Sequence, residues 1–231
     1  MNLLLIRPEM MLDGDTFRAL PEQSLHLNSV LHAQAGDRIR IGMLNGNLGE
    51  AELIEPSRNN ALLRIISLDK APPAKKNLRF IIALPRPQSF KKCLHFIASA
   101  GIPEVHFIQT ARVEKSYWKS AAMEADAIAG EIDLGLQQGC DTVPPVLHFH
   151  RSFREWFPED AHRKLIAHPV NALPCPVSVT EPLWAAIGPE GGFIPSEIEI
   201  FRECGFDCVE LGNHILRVEF ALAYMAGRLT P

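Results

Sequence analysis

The feature that most constrains the fold is a change of hydrophobic rhythm at Ala71-Pro-Pro-Ala-Lys-Lys76. Upstream, apolar and polar residues alternate with a period of two, the pattern of strands with one buried face. Arg38-Ile-Arg-Ile-Gly-Met43 shows it, and Asn45-Gly46 behind it predicts a hairpin turn, because both residues tolerate positive φ. Residues 51–54 and 61–66 supply further strands, split by the polar run 57–60. A short helix is expected between Pro21 and Leu31, with proline in its first turn. Residues 1–70 therefore read as a small β-barrel, and residues 71–77 as a linker, since paired prolines continue neither strand nor helix.

From residue 78 onward, continuous apolar runs alternate with segments of helical period. Residues 78–84 form a run of the kind found in buried parallel strands. Ser89 is placed to cap a helix reaching about Ala100, with Phe90, Leu94, Ile97 and Ala98 on one face and Gly101 ending it. A longer helix is expected over 121–138, with Ala121, Ala125, Ile128, Ile132 and Leu136 in one stripe. Strands are expected at 105–108, 146–149, 164–167, 184–187 and 207–211, and helices at 195–204 and 214–228. That succession predicts an α/β domain over 78–231 with a mainly parallel sheet.

Composition narrows the class. With 231 residues, 47% hydrophobic and 22% charged, the chain can bury a core and is not of disordered composition. No apolar run approaches the ~20 residues that span a bilayer, and the first residues lack the features of a signal peptide, so no membrane partner is expected. Cys93, Cys140, Cys175, Cys204 and Cys208 are odd in number and irregular in spacing, which fits a reducing cytoplasm better than a disulfide framework. His148 and His150 flank Phe149 on an expected strand. An alternating surface pair is the preferred reading over a metal site, because no carboxylate or cysteine lies near them in sequence. The net charge of −4 hides an uneven distribution. Residues 71–119 carry 9 basic and 2 acidic side chains, whereas 120–231 carry 7 and 16. A basic stretch of that kind is what a phosphate backbone requires.

Two segments carry chemistry. Ile187-Gly-Pro-Glu-Gly-Gly-Phe193 stands between an expected strand and helix, and its glycines let the backbone approach whatever binds at the carboxyl edge of the sheet. Neither a dinucleotide fingerprint nor a P-loop is present, and a plain tight turn is the alternative. Leu211-Gly-Asn-His-Ile-Leu-Arg-Val-Glu-Phe-Ala221 joins another strand to a helix apolar nearly all round, which suits the core or a subunit interface. Arg217 and Glu219, in its expected first turns, would need partners there: a structural ion pair is one reading, a functional pair the other.

Gly188-Pro-Glu-Gly-Gly192, followed about twenty residues later by Leu211-Gly-x-x-Ile-Leu-Arg217, resembles the signature of the RsmE family, the 16S rRNA uracil-N3 methyltransferases of the SPOUT class. The resemblance extends weakly over the chain. His26-Leu-x-x-Val-Leu31 and Gly36-Asp37 resemble that family's PUA-like barrel, and Leu84-Pro85 the end of its first catalytic-domain strand. It implies a trefoil-knotted C-terminal domain, a topology that periodicity does not reveal. It implies S-adenosylmethionine as methyl donor, held by His168, Gly188, Glu190, Gly191, Gly192, Leu211, Ile215, Leu216 and Arg217, with backbone groups of Leu211, Ile215 and Leu216 on the adenine. It implies a homodimer acting on 16S rRNA or the small ribosomal subunit, with no metal. Arg217 and Glu219 are the catalytic candidates, Arg217 as electrostatic stabiliser.

Arg86, Lys91, Lys92, Arg112 and Lys115 are the candidate RNA contacts, because cations at the start of the Ser89 helix oppose its dipole and suit a bound phosphate. Tyr117 and Trp118 could stack bases. The chain departs from the family where the usual ending reads His214-Ile-Leu-Arg-Val-Glu-Phe-Ala221, without one arginine and two threonines, and where Val30-Leu31 is followed by His32. Gln137-Gln138 replaces a Glu-Gln motif, and an arginine thought to face the substrate is replaced near Asp141. The donor glycines are intact, so a non-catalytic RNA-binding or ribosome-assembly factor that retains the donor pocket is the alternative function.

Overall fold

The structure, a computed structural model, describes residues 2–153, 156–160 and 162–231. Two compact units emerge. The first comprises Met1–Ala74, Ala98–Gly101 and Ile132–Pro144; the second comprises Lys75–Ile97, Ile102–Glu131 and Pro145–Pro231. The sequence boundary at 71–77 lies where the first long segment ends, but the first unit also takes in two later stretches. A composition break marks a change along the chain and is blind to later segments that fold back.

In the first unit, strands β1 (Leu4–Ile6), β2 (Thr16–Arg18), β3 (Arg38–Met43), β4 (Leu48–Glu55) and β5 (Leu62–Lys70) form a mixed sheet in the order β1-β3-β4-β5-β2. Only the β1–β3 pairing is parallel. Asn45 takes φ 58° in the β3–β4 turn, as its side chain permits. Helix α1 (Pro21–Ser29) has proline in its first turn, and Gln23 secures its start by accepting the Leu20 N–H at 3.0 Å. Phe17, Leu27, Ile41, Leu53 and Leu63 fill the core. Strands β1 and β2 are three residues each, too short for alternation to announce them. Asp141 is buried, and its Oδ1 accepts the N–H groups of Thr142 and Val143 at 2.7 and 3.0 Å. It closes a turn.

The second unit contains β6 (Leu78–Ala83), β7 (Glu104–Ile108), β8 (Val146–His150), β9 (Arg163–Ala167), β10 (Leu173–Pro174), β11 (Leu183–Ile187) and β12 (Asp207–Glu210) in one parallel sheet of order β10-β12-β9-β11-β6-β7-β8. All five residues of β11 are buried, which is why its sequence is continuously apolar rather than alternating. Helices α4 (Pro195–Glu203) and α5 (Val218–Leu229) accompany the strands, as do α2 (Pro87–Ser99) up to Ile97 and α3 (Ala125–Gly139) up to Glu131.

Three helix boundaries differ from those expected. The first turn of α2 starts at Pro87, with the Phe90 N–H donating to the Arg86 carbonyl, so Ser89 sits inside the helix instead of capping it. Residues 121–123 make a separate 3-10 turn because Glu124 is extended, which leaves Ala121 outside the α3 stripe. Arg217 is also extended (ψ 156°), so 214–217 belong to a loop and α5 begins only at Val218. No helix among the described residues is long and apolar enough to cross a membrane.

Gly49 in β4 has no room for a side chain: a Cβ there would stand 1.8 Å from the Ser67 carbonyl oxygen. Gly49→Ala is expected to lower unfolding free energy by about 1–3 kcal/mol, measured by urea denaturation. An unchanged midpoint would mean that the β4–β5 approach is not as close as described.

Candidate functional site

Strand β9 lies between β11 and β12, and all three point the same way. Their carboxyl ends therefore release three loops side by side, the position where parallel α/β sheets bind ligands. The loops surround a cavity of about 440 Å³ lined by Ala167, His168 and Pro169, by residues 187–193, and by residues 211–216. That volume falls in the range of small-molecule sites. A larger hollow of about 750 Å³ around Trp156, Lys164 and Cys204 contains no glycine turn.

The glycine loop is a turn closed by the Gly192 N–H on the Pro189 carbonyl at 2.8 Å. Gly192 has φ +71°, a conformation that side chains of L-residues resist, and Gly212 in the third loop has φ +105°. The first loop is tied to β12 by the His168 N–H donating to the Val209 carbonyl at 3.0 Å. Arg112 donates from Nη1 to the Gly191 carbonyl. Glu190 accepts the Arg86 N–H at 3.1 Å, with the Arg86 Nε 3.9 Å from the same oxygen. Burial, then Arg202, pushes the His168 imidazole below its ordinary pKa, so the ring is neutral at pH 7.

Glu197 is the positioning residue that motif reading missed. It is buried, one oxygen accepting the Ile194 N–H at the start of α4 (3.0 Å) and the other the Ala111 N–H (2.7 Å). One carboxylate thus fixes both the helix that follows the glycine turn and the loop that carries Arg112. The signal was a glutamate two residues after Pro195, which a search for helix-start pairs would have flagged.

His168, Gly188, Glu190, Gly191, Gly192, Leu211, Ile215 and Leu216 all line the cavity; Arg217 lies just beyond the lining segment. Arg217 is exposed at the start of α5, whereas Glu219 is buried in its first turn. The expected ion pair between them is replaced by one from Glu219 to Lys92, Nζ to Oε1 3.4 Å. Burial pushes the Glu219 carboxyl up, but its own N–H, Ser89 and Lys92 outweigh that and hold it below the ordinary value. Its Oε2 has no hydrogen-bond partner among the described residues. The α5 helix is not buried all round: Val218, Leu222 and Met225 face inward, while Phe220 and Tyr224 are exposed, as is Ile215 before it.

Three of the five candidate RNA residues face carboxylates. Arg86 faces Glu190, Lys91 faces Glu131 at 3.8 Å, and Lys92 faces Glu219. Those acids come from the acidic final half of the sequence, so the charge imbalance along the chain is partly cancelled in space. Arg112 belongs to the glycine turn, and Lys115 is exposed. Trp118 is buried with its Nε1–H donating to Gln109, so the expectation that it is available for base stacking is corrected.

Comparison with known proteins matches residues 72–230 to the family described as RNA methyltransferase domain. The chain is 28% identical over 232 residues to the ribosomal RNA small subunit methyltransferase E of Treponema pallidum, covering 96% of this chain and 87% of that one. It is 26% identical over 208 residues to ribosomal RNA small subunit methyltransferase E 2 of Borreliella burgdorferi, covering 86% and 84%. A solved ribosomal RNA small subunit methyltransferase E from Neisseria gonorrhoeae, bound to S-adenosyl methionine, superposes with a TM-score of 0.74 at 23% identity, covering 97% and 96%. The mixed-sheet unit and the parallel α/β unit thus share that protein's fold, consistent with the trefoil-knotted SPOUT architecture.

Glu197→Ala would leave two backbone N–H groups without their carboxylate. A loss of about 1–3 kcal/mol of stability is expected, measured by urea denaturation. A variant as stable as the parent would show that Glu197 does not hold these loops.

Proposed function

The chain belongs to the RNA methyltransferase domain family, and on that premise we propose that it transfers the methyl group of S-adenosylmethionine to N3 of a uridine in 16S rRNA of the small ribosomal subunit. The observation that carries this reading is the meeting of residues 167–169, 188–192 and 211–216 around one cavity at the carboxyl ends of β9, β11 and β12. The relatives named above are methyltransferases of small-subunit ribosomal RNA, which supports the substrate class.

The residues present fit the donor. Glycine at 188, 191 and 192 keeps the backbone bare where a flat, polar ligand must approach closely. Backbone groups of Leu211, Ile215 and Leu216 are placed to hold the adenine, and neutral His168 adds no positive charge beside a sulfonium. When bound, the donor supplies an electrophilic methyl group. The protein's share is to align the target nitrogen with it, which is where most of the acceleration in such a displacement arises. Arg217, exposed next to the cavity, is positioned to stabilise the negative charge on the uracil ring as N3–H is lost. Glu219, paired with Lys92, acts by holding α5 to α2. The first unit serves as a PUA-like RNA-binding module. Exposed Lys115 and Lys119, with Arg112, make the RNA-facing rim. Exposed Ile215, Phe220 and Tyr224 form the face on which a second copy docks in the cytoplasmic homodimer.

Calorimetric titration tests the reading. S-adenosylmethionine should bind with micromolar affinity, and small subunits lacking the mark should then accept the methyl group. Binding without transfer would favour the non-catalytic assembly factor, and no binding would remove the donor pocket altogether. Gly192→Val, which forces a β-branched side chain into φ +71°, should weaken donor binding at least about tenfold. Donor affinity should stay flat from pH 8 to pH 7. It should fall at pH values below the ordinary histidine range, as His168 becomes positively charged beside the sulfonium. In His168→Gln that acid-side fall should vanish; if it persists, another group is responsible.

A further inference from the structure

We propose that Glu104, His106 and His148 bind a divalent transition-metal ion, Zn²⁺ being the best match, which ties β7 to the edge strand β8. Strand alternation puts Glu104 and His106 on one face of β7, and parallel pairing sets His106 directly opposite His148 of β8. Phe107 and Phe149 occupy the opposite face, where Phe107 packs on Phe90 of α2 with ring centres 5.0 Å apart. The histidine face is therefore not a by-product of a disordered edge. It is backed by a packed aromatic layer and covered by Trp156, whose ring stacks 3.5 Å from that of His106.

The donor geometry fits the ion. Glu104 Oε1 lies 3.1 Å from His106 Nε2 and 3.3 Å from His148 Nε2. Zinc bonds of about 2.0–2.1 Å set neighbouring tetrahedral donors about 3.3 Å apart. All three donor atoms lie within 4.8 Å of one another, and His148, 40% exposed, can rotate to close the remaining edge. Two imidazoles and a carboxylate leave the fourth position to water.

The surrounding groups orient these donors as metal sites require. With His106 Nε2 given to the ion, its Nδ1–H donates to His150 Nε2 at 2.8 Å. The second oxygen of Glu104 accepts Arg79 Nε at 3.0 Å, which leaves Oε1 for the ion. His106 is 3% exposed, so the ring that faces Glu104 and His150 is fixed in place by its surroundings. Glu104 opens β7 and both histidines lie mid-strand, whereas the methyl-donor cavity opens at the carboxyl ends of β9, β11 and β12. Its role is thus structural: it pins β8, the edge strand of the sheet among the described residues.

Co²⁺ and Zn²⁺ titrations of the metal-stripped full chain test this. Stoichiometric Co²⁺ should give the intense visible bands of a low-coordinate site, Zn²⁺ should abolish them, and Zn²⁺ should raise Tm. Glu104→Gln and His148→Ala should each weaken Zn²⁺ binding by about 100-fold, and His150→Ala by about 10- to 100-fold. His32→Ala, an exposed histidine in the first unit, should leave it unchanged. Absence of the Co²⁺ bands, or equal Zn²⁺ affinity in the parent, Glu104→Gln and His148→Ala, would overturn the proposal. S-adenosylmethionine binding, titrated separately, distinguishes failure of the metal site from failure of the donor site.

Discussion

The whole second unit depends on the burial of β11 between β9 and β6. Its five residues are inaccessible, and each large apolar side chain removed from water there contributes about 1.5–3 kcal/mol. Because the three strands are parallel, that burial also decides where function can lie: the carboxyl ends come out together, and the loops that follow them must meet. The glycine turn after β11 is thus aligned with the ends of β9 and β12 by the same packing that stabilises the sheet. Destabilising the sheet would scatter the site, since no single loop encloses the cavity.

Several charges around the cavity are committed to structure. Glu197 uses both oxygens on backbone N–H groups, and Glu190 accepts the backbone N–H of Arg86. Arg112 reaches the carbonyl of Gly191, so the basic residue nearest the cavity stiffens the turn that lines it. Such contacts between side chain and backbone cost less to maintain than exposed ion pairs, which hold two long side chains in place for little return. Arg217 is exposed beside residues 211–216.

The fold class was legible because it follows from periodicity. Alternation in 38–43, the apolar runs 78–84 and 184–187, and the stripe of α2 all reflect burial, and burial is written in residue type. Legibility failed where conformation is decided by a single backbone angle or a distant neighbour. Extended Glu124 and Arg217 interrupt segments whose side chains are helical in pattern. Asp141 and Trp118 look like surface chemistry in a linear reading, yet each is buried against partners.

By itself, the sequence determined the two-part order of sheet types, the glycine and Leu-Gly-x-x-Ile-Leu-Arg motifs, and with them the family resemblance, since these depend on residues close together in the chain. Only the tertiary structure decided which groups meet. Glu219 meets Lys92 and not Arg217, Arg112 meets the glycine turn, and Glu104 and His106 meet His148. The physical reason is register. In a parallel sheet, a residue's neighbour lies on another strand some forty positions away, as with His106 and His148, and the pairing is set by how two buried faces pack.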